Sequence, residues 1–247
     1  MRFLYVATGI FTLFFLFTSI GYANLTDGLI AYWSFNNPSD PYNDDSGNGN
    51  NGTGLGSPTW VEGIRGGAIE FDNADDLIRV PYDESMNTSA GVTYASWFSP
   101  DQVIINANII GRWDLSNQEL VQIDVGHGGT LNYWDWYFNL TCTAPQVGRW
   151  THVAVIIEPG AFANLYVDGE LVDSKVYPNA TVTNPVGPLE IGGSDPFYGI
   201  IDDVRIYNRA LSKDEVAELS TIPAPGAIIL GSIGAGFVGW MRRKRAI

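Results

Sequence analysis

The feature that most constrains the fold is a succession of short apolar, β-branched or alternating segments separated by turn residues. Glycine occurs 28 times and proline 13 times, and no long amphipathic helical pattern interrupts the series. This pattern predicts an all-β protein whose short antiparallel strands are joined by tight turns, and the near-regular spacing favours a two-sheet sandwich. The predicted strands cover residues 29–36, 68–71, 77–80, 91–98, 108–113, 119–125, 131–138, 150–158, 164–167, 170–177, 189–191 and 198–207.

Two local signals and one loop complete this prediction. Asp168-Gly169 separates two alternating segments, which is typical of a type I′ β-hairpin. Ser212 stands three residues before Glu215, which predicts a capping box and a short helix over 212–219. Residues 37–58 are rich in Asn, Asp, Gly and Pro, and we interpret them as a loop.

The first 23 residues have the pattern of a secretory signal peptide. A basic start, Met1-Arg2, precedes an apolar run over 3–20, and small residues precede the expected cleavage after Ala23. This segment predicts an N-terminal signal helix, removed on export. The remaining stretch of about 200 residues, 24–221, fits a single β domain.

Residues 222–247 predict a second apolar helix that ends in the basic cluster 242–245. A basic cluster behind an apolar segment favours a cytoplasmic position for that end, so the domain before it is expected across the membrane. The apolar core 227–240 would span only about 21 Å as a helix, against a hydrocarbon core of about 30 Å. Its glycine spacing also fits a plain anchor that packs against a partner helix.

The charge of the chain excludes some partners. It carries 13 Lys and Arg against 27 Asp and Glu, for a net charge of −14. Five of the basic residues lie in the two ends, which hold no acids, so 8 basic residues remain against 27 acids and the middle is near −19. Such a domain repels nucleic acid and anionic membranes. It suits calcium or a neutral polysaccharide, although solubility alone explains the acidity equally well.

No catalytic residue is predicted. Cys142 is the only cysteine, and we interpret it as a buried bystander; His152 is interpreted as a strand residue with a hydrogen-bonded ring. Glu119 and Asp124 are five positions apart, so in a strand they face opposite sides and cannot act as a retaining glycosidase pair. Asp124 and Asp135, on different segments, are the remaining acids that could converge.

Several signatures in order resemble the laminin-G-like, concanavalin A-like lectin/glucanase jelly roll of bacterial surface proteins. The resemblance covers about residues 25–219 and implies two stacked antiparallel sheets of six or seven strands. It also implies carbohydrate or protein ligands, often with Ca²⁺. The signatures are GLIAYWSFN (28–36), DDSGNGNNGT (44–53), GGAIEFD (66–72), GRWTHVAV (148–155), NLYVDGELV (164–172) and GIIDDVRIYNRALS (199–212).

The tail resembles the PEP-CTERM sorting signal of Gram-negative bacteria. It shows the order Pro-x-Pro, glycine-rich apolar segment and basic end, with Pro223-Ala224-Pro225 where that family usually has Pro-Glu-Pro. The resemblance implies recognition by an exosortase-like membrane protease and delivery to the cell surface or extracellular matrix.

A calcium site is predicted in the loop 44–51, because Asp and Asn side chains and glycine-freed carbonyls supply the oxygen ligands that Ca²⁺ takes. The resemblance places the start of the last long strand, with Asp202, against this loop. The predicted ligands are Asp45, Asn48, Asn50 and Asp202, with Asp72 as a further option. The alternative is a turn loop in which the Asp side chains accept hydrogen bonds from backbone amides.

An aromatic ligand site is predicted over residues 133–137. In a strand, Tyr133, Asp135 and Tyr137 share one face, while Trp134 and Trp136 share the other. One face must enter the core, and the exposed one would suit stacking on sugar rings. The sequence therefore predicts an exported, non-enzymatic module that binds carbohydrate or matrix components. The alternatives are a glycoside hydrolase or polysaccharide lyase on the same fold, and an adhesive matrix protein without sugar binding.

Overall fold

The computed structural model describes residues 24–104, 106–114, 119–126, 129–135, 138–143, 145–193 and 195–222. The predicted signal helix and the predicted C-terminal sorting helix lie outside these residues, except for Ile222. Within the described part, no helix is both long enough and apolar enough to cross a membrane.

Fifteen strands and one α-helix make up the regular structure of the described residues. In chain order they are β1 Leu29–Trp33, β2 Thr53–Leu55, β3 Thr59–Gly63, β4 Gly66–Phe71, β5 Leu77–Val80, β6 Val92–Pro100, β7 Ala107–Asp114, β8 Glu119–Val125, β9 Thr130–Asp135, β10 Phe138–Thr143, β11 Thr151–Glu158, β12 Phe162–Val167, β13 Glu170–Lys175, β14 Leu189–Ile191, β15 Gly199–Tyr207 and α1 Lys213–Leu219. A short 3₁₀ turn, Glu84–Met86, follows β5.

The strands form two antiparallel sheets that stack as a jelly-roll sandwich, as the sequence predicts. The eight-stranded sheet has the order β13-β12-β11-β6-β15-β4-β3, and β1 pairs with the far half of β15. The seven-stranded sheet has the order β10-β9-β8-β7-β14-β5-β2. Neighbours that are distant in sequence, such as β6 with β15, come together only because the chain crosses repeatedly between the sheets.

The main core lies between the two sheets and is built from the inward residues of each strand. Trp33, Phe71, Phe98 and Ile123 are fully buried there. A second, smaller core covers the outer face of the eight-stranded sheet, where Val216 and Leu219 of α1 pack with buried side chains such as Ala154. Because both of its faces are covered, β6 is buried along its whole length.

The two local signals are confirmed. Asp168 and Gly169 both have positive φ, 50° and 82°, and they link β12 to β13 as a type I′ turn requires. The Ser212 hydroxyl accepts the Glu215 N–H at 3.3 Å, and the Glu215 carboxylate accepts the Ser212 N–H at 2.7 Å. This reciprocal pair starts α1 one residue later than the predicted helix.

Two predictions of strand position are wrong. The segment 131–138 is not one strand, because β9 ends at Asp135 and Phe138 pairs back with Asp135 in the antiparallel strand β10. Residues 37–58 are not all loop, because β2 begins at Thr53 and pairs with β5. The first error comes from the aromatic-rich segment 133–138, which contains no Gly or Pro to mark the end of β9.

Candidate functional site

The outer face of the seven-stranded sheet carries the candidate ligand site, and β9 decides which of the predicted residues belong to it. Trp134 is on this face and 37% exposed. Tyr133 and Asp135 point into the core and are 1% and 2% exposed. Both side chains lie on the opposite side of the sheet from Trp134, so the ligand contacts predicted for these two residues are not available on the face that carries Trp134. The predicted contacts of Trp136 and Tyr137 lie outside the described residues.

Asp135 has a structural role instead. Its carboxylate accepts the Tyr177 hydroxyl at 2.6 Å and the Thr183 hydroxyl at 3.3 Å. Burial, and after it the hydrogen bond to the Asp135 carboxylate, raises the pKa of Tyr177 to about 12. A buried carboxylate requires hydrogen-bond donors, and here Tyr177 and Thr183 supply them. The two bonds connect β9 to the segment after β13.

A polar network lies beside Trp134 on the same outer face. The Asn132 amide nitrogen donates to the Asp124 carboxylate at 2.9 Å, across the β8–β9 pair. The Asn132 amide oxygen accepts the hydroxyls of Thr130 and Thr141 at 2.9 and 2.8 Å. The network joins three neighbouring strands and fixes a row of amide, hydroxyl and carboxylate groups two residues from the exposed indole.

Asn108 extends this row onto β7, where it pairs with Asp124. Its side chain is fully buried, yet within the described residues neither amide atom has a hydrogen-bond partner. Gly111 gives it room, because a Cβ at that position would lie 2.5 Å from the Asn108 amide nitrogen. The large majority of buried side-chain amides in native proteins do have a hydrogen-bond partner.

Asp124 and Asp135 do not converge. Asp124 bonds to Asn132 on the outer face, whereas Asp135 bonds to Tyr177 in the core. The sheet itself separates the two carboxylates, so this pair cannot flank one glycosidic bond.

In the predicted calcium loop, the side chain that shapes the loop is Asp44, which was not among the predicted ligands. Its buried carboxylate accepts the backbone N–H groups of Tyr32, Ser46 and Asn50, each at 2.9 Å. This is the arrangement of the alternative interpretation, in which an Asp side chain accepts backbone amides. The exposed Asp45 carboxylate accepts a short hydrogen bond from the Ser34 hydroxyl and another from the Asn43 amide.

The side chains of Asn48 and Asn50 both bind the same backbone carbonyl. Both donate an amide N–H to the Ile30 carbonyl, at 3.2 and 2.9 Å. The Asn50 carbonyl in turn accepts the indole N–H of Trp33 at 3.0 Å. The loop is therefore tied to β1 by side-chain amides and by a core tryptophan.

Asp202 belongs to strand β15, and its carboxylate faces the turn between β3 and β4. One carboxylate oxygen accepts the N–H groups of Ile64 and Arg65, both at 3.0 Å, and the other has no hydrogen-bond partner among the described residues. Burial raises the pKa of Asp202 to about 7, despite the two backbone donors. Asp72, the further option, accepts a short hydrogen bond from its neighbour Asn73. Over the described residues, no three His, Cys, Asp or Glu side chains are grouped as a metal site.

His152 and Asp202 flank Trp97 of β6 from its two neighbouring strands, β11 and β15. Its ring packs on the Trp97 indole, with 5.2 Å between centroids. The prediction of a hydrogen-bonded ring is wrong in part, because Nδ1 has no partner within the described residues. Burial, together with the nearby Arg65 and Arg205 guanidinium groups, lowers the pKa of His152 to about 3.

Two stacked antiparallel sheets joined by crossing connections define the jelly-roll class of β-sandwich proteins. Residues 72–217 match the family described as the concanavalin A-like lectin/glucanases superfamily. This match covers more than half of the sequence, and the chain belongs to that family.

Relatives and solved structures agree with this assignment. The adhesion G-protein coupled receptor V1 of Danio rerio is 31% identical over 81 residues, which are 30% of this chain and about 1% of that relative's length. Domain 4 of AbnA, an extracellular GH43 arabinanase from Geobacillus stearothermophilus solved with arabinotriose, has a TM-score of 0.67 at 24% identity. The comparison covers 78% of this chain and 98% of that domain.

A second solved structure, the binding domain of Paraclostridial Mosquitocidal Protein 1, has a TM-score of 0.65 at 21% identity. The comparison covers 79% of this chain and 52% of the chain of that binding domain. At these identities the two structures show a shared fold.

Proposed function

We propose that this chain is an exported, non-catalytic module that binds carbohydrate or extracellular-matrix ligands on the outer face of the seven-stranded sheet. The observation that carries the proposal is the half-exposed Trp134 beside the Asn132–Asp124 network. A tryptophan face stacks on the apolar side of a sugar ring, and the buried Asn132–Asp124 network, with side chains 3% and 1% exposed, braces the strands that carry the indole. The arabinotriose bound by the similar arabinanase domain supports this ligand class.

The absence of catalysis in this proposal rests on geometry. Asp124 and Asp135 lie on opposite sides of the sheet, and Glu119 stands five positions before Asp124 in the same strand.

We further propose delivery to the cell surface through the tail, processed by an exosortase-like protease, with transient attachment to the membrane. Replacing the four basic residues 242–245 by alanine tests this tail proposal, because mislocalised or unprocessed protein is then expected.

The binding proposal predicts that Trp134→Ala weakens binding by about tenfold or more. Loss of one stacking contact of about 1.4 kcal/mol changes a dissociation constant tenfold. The measurement is a glycan array with the purified full chain, followed by titration of each positive saccharide. Trp60→Ala is the matched control, because Trp60 is 38% exposed on the other sheet, in β3.

The control should bind normally, although it loses a hydrogen bond from the Trp60 indole to the Phe35 carbonyl. Equal losses in both variants would count against a site at Trp134. Release of reducing sugar by the wild-type chain, abolished by Asp124→Asn, would replace the binding proposal with an enzyme.

Structural calcium remains part of the proposal and has its own test. A ligand at a hundredfold excess over its dissociation constant adds about 2.7 kcal/mol to the stability of the native state. We expect EDTA to lower the melting temperature by several degrees and added Ca²⁺ to restore it. Asp45→Ala should blunt this response, whereas Asp214→Ala, which changes an exposed acid in the first turn of α1, should leave it unchanged. An identical melting curve with and without EDTA would remove calcium from the proposal.

A further inference from the structure

A cleft of about 430 Å³ opens on the outer side of the eight-stranded sheet, away from Trp134. It lies where the hairpin between β12 and β13 approaches the end of α1. Its volume falls in the range of about 300–1,000 Å³ that is typical of small-molecule sites. The residues that line it are Trp97, Arg149, Trp150, Asp168, Ser220 and Ile222.

Two tryptophans line the cleft, and they differ in how far their rings are exposed to a ligand. Trp97 is 2% exposed, and its indole N–H already donates to the Leu219 carbonyl at 3.3 Å. It therefore forms the floor and anchors the end of α1. Trp150 is only half-buried, so its ring is the one available for stacking.

An ion pair stands at the mouth of the cleft. Arg149 Nη2 and Asp168 Oδ2 are 3.0 Å apart, with side chains 60% and 35% exposed. The other Asp168 oxygen accepts the backbone N–H of His152 at 2.9 Å. The backbone of Asp168 has a φ of 50° in the hairpin turn. The backbone therefore fixes the carboxylate, and the carboxylate orients the guanidinium group.

We propose that this cleft is a second saccharide site, which takes a single neutral sugar ring stacked on Trp150. It rests on the ligand class of the proposed function but uses none of the same residues. Arg149 supplies several N–H donors and Asp168 supplies acceptor lone pairs, which together match neighbouring hydroxyls of one ring. The pair has no net charge and the chain carries −14, so an uncharged ring fits better than a uronate.

The test follows the indole N–H resonance of Trp150 by NMR during titration of the full chain. The probes are arabinotriose and the methyl glycosides of arabinose, glucose and galactose, with glucuronate as the charged comparison. At least one neutral probe should shift this resonance saturably, and glucuronate should require at least a tenfold higher concentration. Arg149→Gln should weaken the effect about tenfold, by loss of a charge-assisted hydrogen bond.

Asp168→Asn is the sharpest variant. Asparagine tolerates positive φ and can still accept the His152 N–H, so the turn is preserved while the ion pair is lost. We expect binding at the cleft to fall about tenfold with the melting temperature nearly unchanged. Trp150→Phe, which keeps an aromatic face, should bind better than Trp150→Ala by threefold or more, and melting curves will show whether either variant is unfolded.

The outcomes separate this site from the one at Trp134. A saturable shift at Trp150 that persists in Trp134→Ala supports the cleft. Saccharide binding that is lost in Trp134→Ala while the Trp150 resonance never moves overturns the cleft and leaves the proposed function standing. A full chain that binds no saccharide at all contradicts both.

Discussion

Replacing Trp33 with alanine is expected to lower the free energy of unfolding by about 3–5 kcal/mol. Trp33 is completely buried between the sheets, and its neighbours cannot fill the cavity that its indole would leave. The variant also loses the 3.0 Å hydrogen bond to the Asn50 carbonyl, which fastens the loop after β1. Urea denaturation followed by circular dichroism measures the change.

Trp33→Phe is the matched control, because it keeps most of the apolar volume while it removes the hydrogen bond. We expect a smaller loss of about 1–2 kcal/mol. If the alanine variant lost less than about 1 kcal/mol, Trp33 would not be a main contributor to the core. The pair of variants also tests the calcium proposal, since a loosened 44–51 loop should bind any metal less tightly.

The second large effect concerns pH, and we expect Asp202→Asn to raise stability at pH 8 by up to about 4 kcal/mol. Burial raises the pKa of Asp202 to about 7 from an ordinary value near 3.8. The neutral carboxyl of Asp202 therefore makes its full contribution to folding stability below about pH 4. This contribution is lost as the pH rises to 7. Asparagine can keep both backbone hydrogen bonds, through its amide oxygen, without the charge.

His152 has the opposite dependence on pH. Its pKa is lowered to about 3 in the folded state from 6.5, so its contribution is present above about pH 6.5 and is lost as the pH falls toward 3. Between pH 4 and 6.5 the two groups oppose each other, and the wild-type chain should show a nearly flat stability profile. Asp202→Asn should leave only the loss toward acid.

Asp203→Asn is the control for this experiment and should have the opposite sign at pH 8. Asp203 accepts the Tyr32 hydroxyl at 2.7 Å and Arg205 at 2.9 Å, and it lies 3.4 Å from Arg65. Its φ of 55° suits asparagine, so the loss comes from two partly buried guanidinium groups left without their carboxylate.

The measurements are made in EDTA, so that no bound cation alters the ionisation of Asp202. A Tm that fell in Asp202→Asn at pH 8 would show that the carboxylate is needed in its charged form.

The sequence alone determined the local structure, because local signals need only neighbouring residues. Alternation placed most strands to within one or two residues, Asp168-Gly169 specified its turn, and Ser212 with Glu215 started the helix. The ordered signatures identified the jelly roll before any packing was known. The error in 131–138 arose because this aromatic-rich segment contains no Gly or Pro to mark where β9 ends.

Only the tertiary structure decided which residues can meet a ligand. Period-two alternation shows that Tyr133 and Trp134 face opposite ways, but not which of them enters the core. That choice depends on Tyr177, 42 residues beyond Asp135, because a buried carboxylate is tolerated only where a distant donor reaches it. The cleft at Trp150 likewise needs a loop, a hairpin turn and a helix end that are separated by up to about 70 residues. Side chains that distant are brought together by the crossing of strands between sheets, a property of the whole chain that no short pattern contains.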